Sequence, residues 1–141
     1  MTDDFAALPD LASRALGGSV VHATDDLFAE RENLIRPEPP AFAPDTFGNR
    51  GKIYDGWETR RRREPGNDAA VVRLGAPGIV GGLVVDTACF RGNFPPFVSV
   101  EATSVEGYPS PAELQATAWD TIVARSAAQG DTANRYVVDS D

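Results

Sequence analysis

Cysteine and histidine are almost absent from this chain, and their scarcity limits its chemistry. Among its 141 residues, Cys89 is the single cysteine and His22 the single histidine. One cysteine excludes an internal disulfide framework, and one histidine excludes a histidine-rich metal centre built by this chain. Because disulfides persist mainly in oxidising compartments, the simplest expectation is a cytoplasmic protein.

Net positive charge and long apolar runs are also missing. The 13 Lys and Arg residues stand against 21 Asp and Glu, which gives a net charge of −8, and such a balance argues against nucleic acid as the general partner. No run approaches the roughly 18–20 apolar residues of a membrane span. Asp3 and Asp4 stand where a signal peptide would carry positive charge. We therefore expect no nucleic acid and no membrane as partners.

Short apolar runs separated by Gly and Pro turns make up most of the rest. Strands do not alternate with helices, which favours a β-sandwich with a few short peripheral helices. About six strands are recognisable, whereas a jelly roll has about eight. The others lie either in the irregular stretch 24–52 or beyond Asp141. The clearest elements are a helix at Pro9–Leu16, a strand at Ser19–Ala23, a strand at Phe97–Thr103 and a helix at Pro111–Ala118 with Ser110 as its N-cap.

The segment 54–63 concentrates functional side chains. It reads Tyr-Asp-Gly-Trp-Glu-Thr followed by four arginines. If residues 58–63 are extended, Glu58, Arg60 and Arg62 share one face, because side chains alternate along a strand. An acid would then lie next to two forks shaped for anions. The arginines also fit a solvated face or ion pairs with the many acids, and Trp57 fits a core position or a substrate platform.

Other polar residues allow two interpretations each. Asp25 and Asp26 follow the predicted strand, where they could cap a turn or hold a cation through oxygen ligands. His22 lies within that strand, as a packed residue or as a group that transfers protons near neutral pH. Cys89 has no histidine nearby and reads as a small buried residue.

Several motifs, in order and in register, resemble the first part of allantoicase over residues 9–105. Agreement of separate motifs is far more specific than any one of them. The motifs are Ala23–Ala29, Glu32–Pro40, Asp55–Arg61, Val72–Ile79 and Asp86–Asn93.

The resemblance implies a fold and an activity. Allantoicases hydrolyse allantoate to ureidoglycolate and urea during purine degradation. They consist of two similar jelly-roll domains of the galactose-binding-like type and form homo-oligomers. The resemblance thus implies that residues 1–141 form a single domain, the first of the two repeats, with its closing strands and the second repeat absent. We expect no cofactor; oxygen ligands leave such weak traces that the sequence neither predicts nor excludes a divalent metal.

Given this resemblance, the candidate residues acquire roles. We predict that Arg60 and Arg62 bind the carboxylate of allantoate, because arginine grips carboxylates with two hydrogen bonds. Asp25 and Asp26 are placed among the substrate-binding residues. The predicted proton-transfer residues are Glu58, Asp55 and His22. The alternative function is a non-catalytic β-sandwich module that binds a small anionic ligand.

Overall fold

Short antiparallel strands dominate the computed structural model, which describes residues 3–27, 29–38, 47–48, 51–52, 56–60 and 62–138. The strands are β1 (Ser19–Ala23), β2 (Phe47–Gly48), β3 (Gly51–Lys52), β4 (Ala70–Arg73), β5 (Gly82–Asp86), β6 (Phe97–Ala102), β7 (Asp120–Ala127) and β8 (Ala133–Val137). Helical structure in these ranges is limited to α1 (Pro111–Gln115) and 3-10 turns at Asp3–Ala7, Arg14–Leu16 and Arg31–Ile35. This content confirms the prediction of an all-β chain with short helices.

The chain divides into two compact units. One unit spans Asp10–Gly78, and the other joins Met1–Pro9 to Ile79–Asp141. The first unit contains β1 paired with β4 and β2 paired with β3; the second contains β5 paired with β8 and β6 paired with β7. Within the described ranges, no helix is long and apolar enough to cross a membrane.

The β1–β4 pair organises the first unit. The predicted strand Ser19–Ala23 is confirmed, and its register against β4 shifts between Val20 and His22. The Val20 amide donates to Oε1 of Glu32 at 3.1 Å, so a side chain of the 3-10 turn Arg31–Ile35 completes the hydrogen bonding of the strand. Val20 and Ile35 are buried in this unit. The turn is thereby fixed beside β1.

The predicted helix Pro9–Leu16 is wrong, since only Arg14–Leu16 forms a helical turn. Two side chains compete for the backbone amides that a helix would use. Asp10 Oδ1 accepts from Ala12 N at 3.1 Å, and Ser13 Oγ accepts from Ala15 N at 3.2 Å. Such local side-chain bonds offer the backbone an alternative to helix. The side-chain hydrogen bonds of Asp10 and Ser13 therefore outweighed the apolar spacing that predicted a helix.

The helix predicted at Pro111–Ala118 is confirmed in type but is shorter. It spans Pro111–Gln115, and its N-cap is Ser110, as predicted. Ser110 Oγ accepts from Glu113 N at 3.2 Å while the Ser110 amide donates to Glu113 Oε1 at 3.4 Å. This reciprocal capping box fixes where the helix begins.

Buried polar side chains join β5 to β8 in the second unit. Asn134 Nδ2 donates to the carbonyls of Val85, Gln129 and Thr132 at 3.0, 3.1 and 3.2 Å. Its Oδ1 accepts from Gln129 N at 2.9 Å, and Thr87 Oγ1 donates to Gln129 O at 2.6 Å. Asn134 and Thr87 are both buried. These side chains bond to backbone N–H and C=O groups that are removed from water in the fold. Without them, those groups would have no hydrogen-bond partner in place of water.

Cys89 is exposed, which corrects its interpretation as a buried residue. It follows β5 in a turn and has a left-handed backbone with φ 69°. The Cys89 amide donates to Oδ1 of Asp131 at 2.8 Å. The hydrogen bonding of this turn, and not the small size of cysteine, thus decides where the side chain lies.

Replacing Asn134 with Ala should lower the free energy of unfolding by about 2 kcal/mol, because buried backbone groups lose their partners. Asn67→Ala is the matched control, since Asn67 is exposed and should change stability by less than about 0.5 kcal/mol. Urea denaturation of the chain measures both. Equal effects of the two substitutions would contradict the structural role of Asn134.

Candidate functional site

Two segments that are distant in sequence lie side by side after β1. Ala29 N donates to Glu58 O at 3.1 Å, and Glu58 N donates to Ala29 O at 3.2 Å. The indole Nε1 of Trp57 donates to the main-chain oxygen of Asp25 at 2.6 Å. Asn33 Nδ2 adds a hydrogen bond to Gly56 O at 3.0 Å. The segment Gly56–Arg60 is therefore attached to the loop that follows β1 and to the 3-10 turn behind it.

The Asp25 carboxylate joins these segments most tightly. Its Oδ1 accepts from the amides of Leu27 and Arg60, both at 2.9 Å. Its Oδ2 accepts from Nε of Arg60 and forms an ion pair with that guanidinium. The bond to Leu27 N closes an Asx-type turn. Asp25 therefore caps the turn, one of the two roles that the sequence left open.

These donors hold the pKa of the Asp25 carboxyl below the ordinary aspartate value. The largest cause is the hydrogen bond from the Leu27 amide, followed by that from the Arg60 amide; burial opposes them, and the Arg60 guanidinium lowers the pKa further. Hydrogen bonds to a carboxylate favour its charged form. Asp25 consequently remains an ionised acceptor near neutral pH, and its hold on Arg60 persists.

A cavity of about 310 Å³ opens beside this cluster. Its volume lies at the lower end of the range of about 300–1,000 Å³ for small-molecule sites. The Arg60 side chain is 65% exposed, whereas that of Asp25 is 15% exposed. Among the described residues, the Arg60 guanidinium pairs with Asp25, and it does so through Nε. The lining residues are Ala23, Thr24, Asp25, Asp26, Leu27 and Arg60.

A second carboxylate, Asp68, holds the other end of the arginine segment. Asp68 Oδ1 accepts from Arg62 Nη2 at 3.2 Å and from Thr24 Oγ1 at 2.9 Å. Arg62 Nη2 also donates to Asn67 O at 3.0 Å. Sequence reasoning missed Asp68. The arginine run did suggest acidic partners, but spacing alone could not select one acid among 21.

The structure brings together some of the predicted site residues and separates others. Arg60, Asp25 and Asp26 line the same cavity, and Asp26 Oδ2 accepts from Arg31 N at 3.4 Å. Arg62 is engaged by Asp68 and does not line that cavity. The predicted pair of clamps is thus divided, with one arginine in the cavity and one in an ion pair beside it.

Two of the predicted proton-transfer residues, Glu58 and His22, are not among the residues that line the cavity. Glu58 is half-buried, and its Oε2 is shielded from solvent. His22 is half-buried within β1, opposite Val71. Asp55 lies outside the described residues. Within the described ranges, no group of three or more His, Cys, Asp or Glu side chains is arranged to hold a metal.

The chemistry of this cavity combines one cation with two acids. A guanidinium held through Nε keeps its Nη edge for a carboxylate, which it can bind with two parallel hydrogen bonds. Asp26 lines the same cavity, and carboxyl oxygens are acceptors for N–H donors. The arrangement suits a small ligand that carries both a carboxylate and amide-like N–H groups.

Comparison with known proteins identifies the same relatives by three routes. The family model described as the allantoicase repeat matches residues 9–141. The probable allantoicase of Nocardia farcinica is 54% identical over 138 residues, which cover 96% of this chain and 42% of that protein. The probable allantoicase of Streptomyces coelicolor is 50% identical, and the match covers 97% of this chain and 40% of that protein.

Solved structures agree with these sequence matches. The crystal structure of Saccharomyces cerevisiae allantoicase matches with a TM-score of 0.67 and 34% identity, over 92% of this chain and 37% of that chain. A second allantoicase structure matches with a TM-score of 0.72 and 36% identity, over 91% of this chain and 37% of that chain. Allantoicase structures have a β-sandwich fold, which confirms the predicted class. The chain spans about two fifths of the length of the curated relatives.

Asp25→Asn should reduce stability at neutral pH, and the difference from the natural chain should shrink in acid. A carboxyl whose pKa is lowered by folding stabilises the fold above its unfolded-state pKa of about 3.9. That contribution is lost as pH falls through the lower, folded-state pKa. Urea denaturation between pH 7 and pH 3 measures the trend.

Asp120→Asn is the control at the exposed start of β7. It should alter stability at pH 7 by less than about 0.5 kcal/mol. A difference between the natural chain and Asp25→Asn that stayed constant down to the lowest pH would contradict an anchoring role of the Asp25 charge.

Proposed function

This chain belongs to the allantoicase family, and we propose that it forms part of an enzyme that hydrolyses allantoate to ureidoglycolate and urea in purine degradation. In this reaction one carbon–nitrogen bond of allantoate breaks. A water oxygen takes the vacant position on the carbon, and the departing urea nitrogen gains a proton. The site must therefore hold an anion, orient two ureido groups and move protons.

The observation that carries this proposal is the position of Arg60 in the cavity. Its Nε is held by Asp25, and its side chain lines the opening. The Nη edge of the guanidinium matches the two oxygens of the allantoate carboxylate. Arg60 thus anchors the substrate carboxylate while Asp25 fixes the orientation of the fork.

The acids beside Arg60 complement the rest of the substrate. Ureido groups are rich in N–H donors, and the carboxylate of Asp26 lines the same cavity. A carboxyl group has about four acceptor sites, so Asp26 can accept from a ligand as well as from Arg31 N. Asp26 therefore orients a ureido group against the anchored carboxylate. Because Arg62 is engaged by Asp68, its role is to hold the arginine segment in place.

Glu58 is the proposed proton-transfer residue. It lies two positions before Arg60 in the segment that borders the loop after β1. Its side chain is not among the residues that line the cavity, so this role requires that the substrate extend from Arg60 toward Glu58, within reach of proton transfer. Glu58 protonates the departing nitrogen or activates the water.

Further proposals follow from family membership. We propose a cytoplasmic homo-oligomer, with residues 1–141 forming one jelly-roll domain, the first of two repeats. A purely ligand-binding module, the alternative function, is not favoured, because the relatives compared above are named allantoicases or probable allantoicases.

Urea release from allantoate tests the proposed activity. The assay uses this chain alone and a hybrid in which it replaces the matching region of the Nocardia farcinica relative, which is 54% identical. We expect release by the hybrid. An inactive hybrid of native size, beside an active parent, would overturn the proposal.

Arg60→Lys in the hybrid should raise the KM for allantoate about 30-fold, because lysine keeps the charge but loses the planar fork. Arg63→Lys is the matched control: it lies in the same run and is exposed, so its KM should stay within about twofold of the natural value. Similar KM values for the two variants would exclude Arg60 as the carboxylate anchor.

Glu58→Gln should lower kcat about 100-fold with little change in KM, since the amide keeps the shape but cannot transfer the proton. Asp26→Asn provides the contrast, because losing a substrate acceptor should mainly raise KM. Steady-state kinetics of the hybrid separate the two effects. An unchanged kcat for Glu58→Gln would remove Glu58 from the reaction.

A further inference from the structure

Trp57 binds the same residue that orients Arg60. Its indole Nε1 donates to the Asp25 main-chain oxygen at 2.6 Å. The carboxylate of Asp25 accepts from the amide and the Nε of Arg60. Asp25 thus receives hydrogen bonds at both its main chain and its side chain, and every donor but Leu27 N comes from the segment Trp57–Arg60.

The indole hydrogen bond restrains the main-chain carbonyl of Asp25. The other hydrogen bonds described above hold its carboxylate. The Asx turn to Leu27 fixes the carboxylate relative to the residues after it. The carbonyl of Asp25 belongs to the peptide group that this turn encloses, so a bond that holds the carbonyl also holds the turn that orients the carboxylate. Trp57 is half-buried, where a hydrogen bond competes less with water. Its N–H therefore limits the rotation of this peptide group.

We infer that Trp57 is a positioning residue for Arg60, acting through Asp25. This role depends on the proposed function only for its consequence for allantoate, because the hydrogen bonds themselves exist without ligand. It also differs from both roles considered from the sequence. Trp57 acts through its N–H group, and not through its ring as core or as a stacking platform.

The chain contains a matched control for this inference. Its second tryptophan, Trp119, is also half-buried and donates Nε1 to a carbonyl, that of Leu114, at 2.9 Å. Trp119 belongs to the unit without the cavity. Substitution by Phe at either position removes one indole–carbonyl bond and keeps an aromatic ring. The two variants therefore differ mainly in the residue that loses its indole donor, which is Asp25 for Trp57→Phe and Leu114 for Trp119→Phe.

Hydrogen exchange of the chain without ligand gives the first readout. In Trp57→Phe, the amides of Arg60 and Leu27, which donate to Asp25, should exchange about fivefold faster, as expected for loss of one hydrogen bond. Amides that pair β1 with β4 should keep their rates. Trp119→Phe should leave all of these rates unchanged. Unaltered exchange at Arg60 and Leu27 in Trp57→Phe, or equal acceleration throughout β1 and β4, would overturn the inference.

Kinetics of the hybrid enzyme give the second readout. Trp57→Phe should raise the KM for allantoate about fivefold with kcat within about twofold, whereas Trp119→Phe should change neither. In the double variant Trp57→Phe/Arg60→Lys, KM should equal that of Arg60→Lys alone, because residues acting through one contact are not additive. Additive effects would contradict a path through Arg60.

The two readouts separate failure of the inference from failure of the proposed function. Faster exchange at Arg60 together with a raised KM supports both. Faster exchange in a hybrid that has no activity even with the natural residues supports positioning and rejects the proposed activity. Unchanged exchange in an active hybrid rejects positioning and leaves the activity standing.

Discussion

The hydrogen bonding of Asp25 is the interaction on which the candidate site depends. Its carboxylate receives two backbone amides and a guanidinium nitrogen, and its carbonyl receives an indole N–H. These bonds join a loop after β1 to a segment more than thirty positions later, as the separations of 32 and 35 residues show. An exposed ion pair alone contributes little to stability. Here its value lies in geometry, because two backbone donors hold the carboxylate in the orientation in which it binds the guanidinium.

The same pairing sets the formal charge of the cavity lining, on which the expected ligand charge depends. Arg60 contributes one positive charge, and Asp25 and Asp26 contribute two negative charges, so the lining has a formal charge of −1. A second negative charge on a ligand would meet these carboxylates, while a single carboxylate can use the Arg60 fork. N–H donors on the ligand then compensate the acids. From this balance we expect the cavity to bind a monoanion that carries N–H donors in preference to a dianion.

Local chemistry in the sequence predicted several elements correctly and one wrongly. The strand Ser19–Ala23 and the Ser110 cap were predictable, because a short run with two adjacent β-branched valines and a capping serine act between neighbours in sequence. The helix at Pro9–Leu16 was wrong, since apolar spacing says nothing about amides captured by Asp10 and Ser13. Of the site, the sequence predicted Arg60, Asp25 and Asp26 as candidates, and the structure places these three around one cavity. Asp68 could not be predicted, because ion-pair partners are chosen by folding.

The sequence by itself determined the family, the all-β class and the set of side chains able to bind an anion. Motifs in register and strand periodicity are properties of the linear chain, so they need no three-dimensional information. The tertiary structure alone decided that Arg60 lines the cavity while Arg62 pairs with Asp68. Both arginines lie on one face of an ideal strand, and alternation cannot distinguish them. Two carboxylates make the distinction: Asp25 lies 35 residues before Arg60, and Asp68 lies 6 residues after Arg62. Each guanidinium pairs with the acid that folding places beside it.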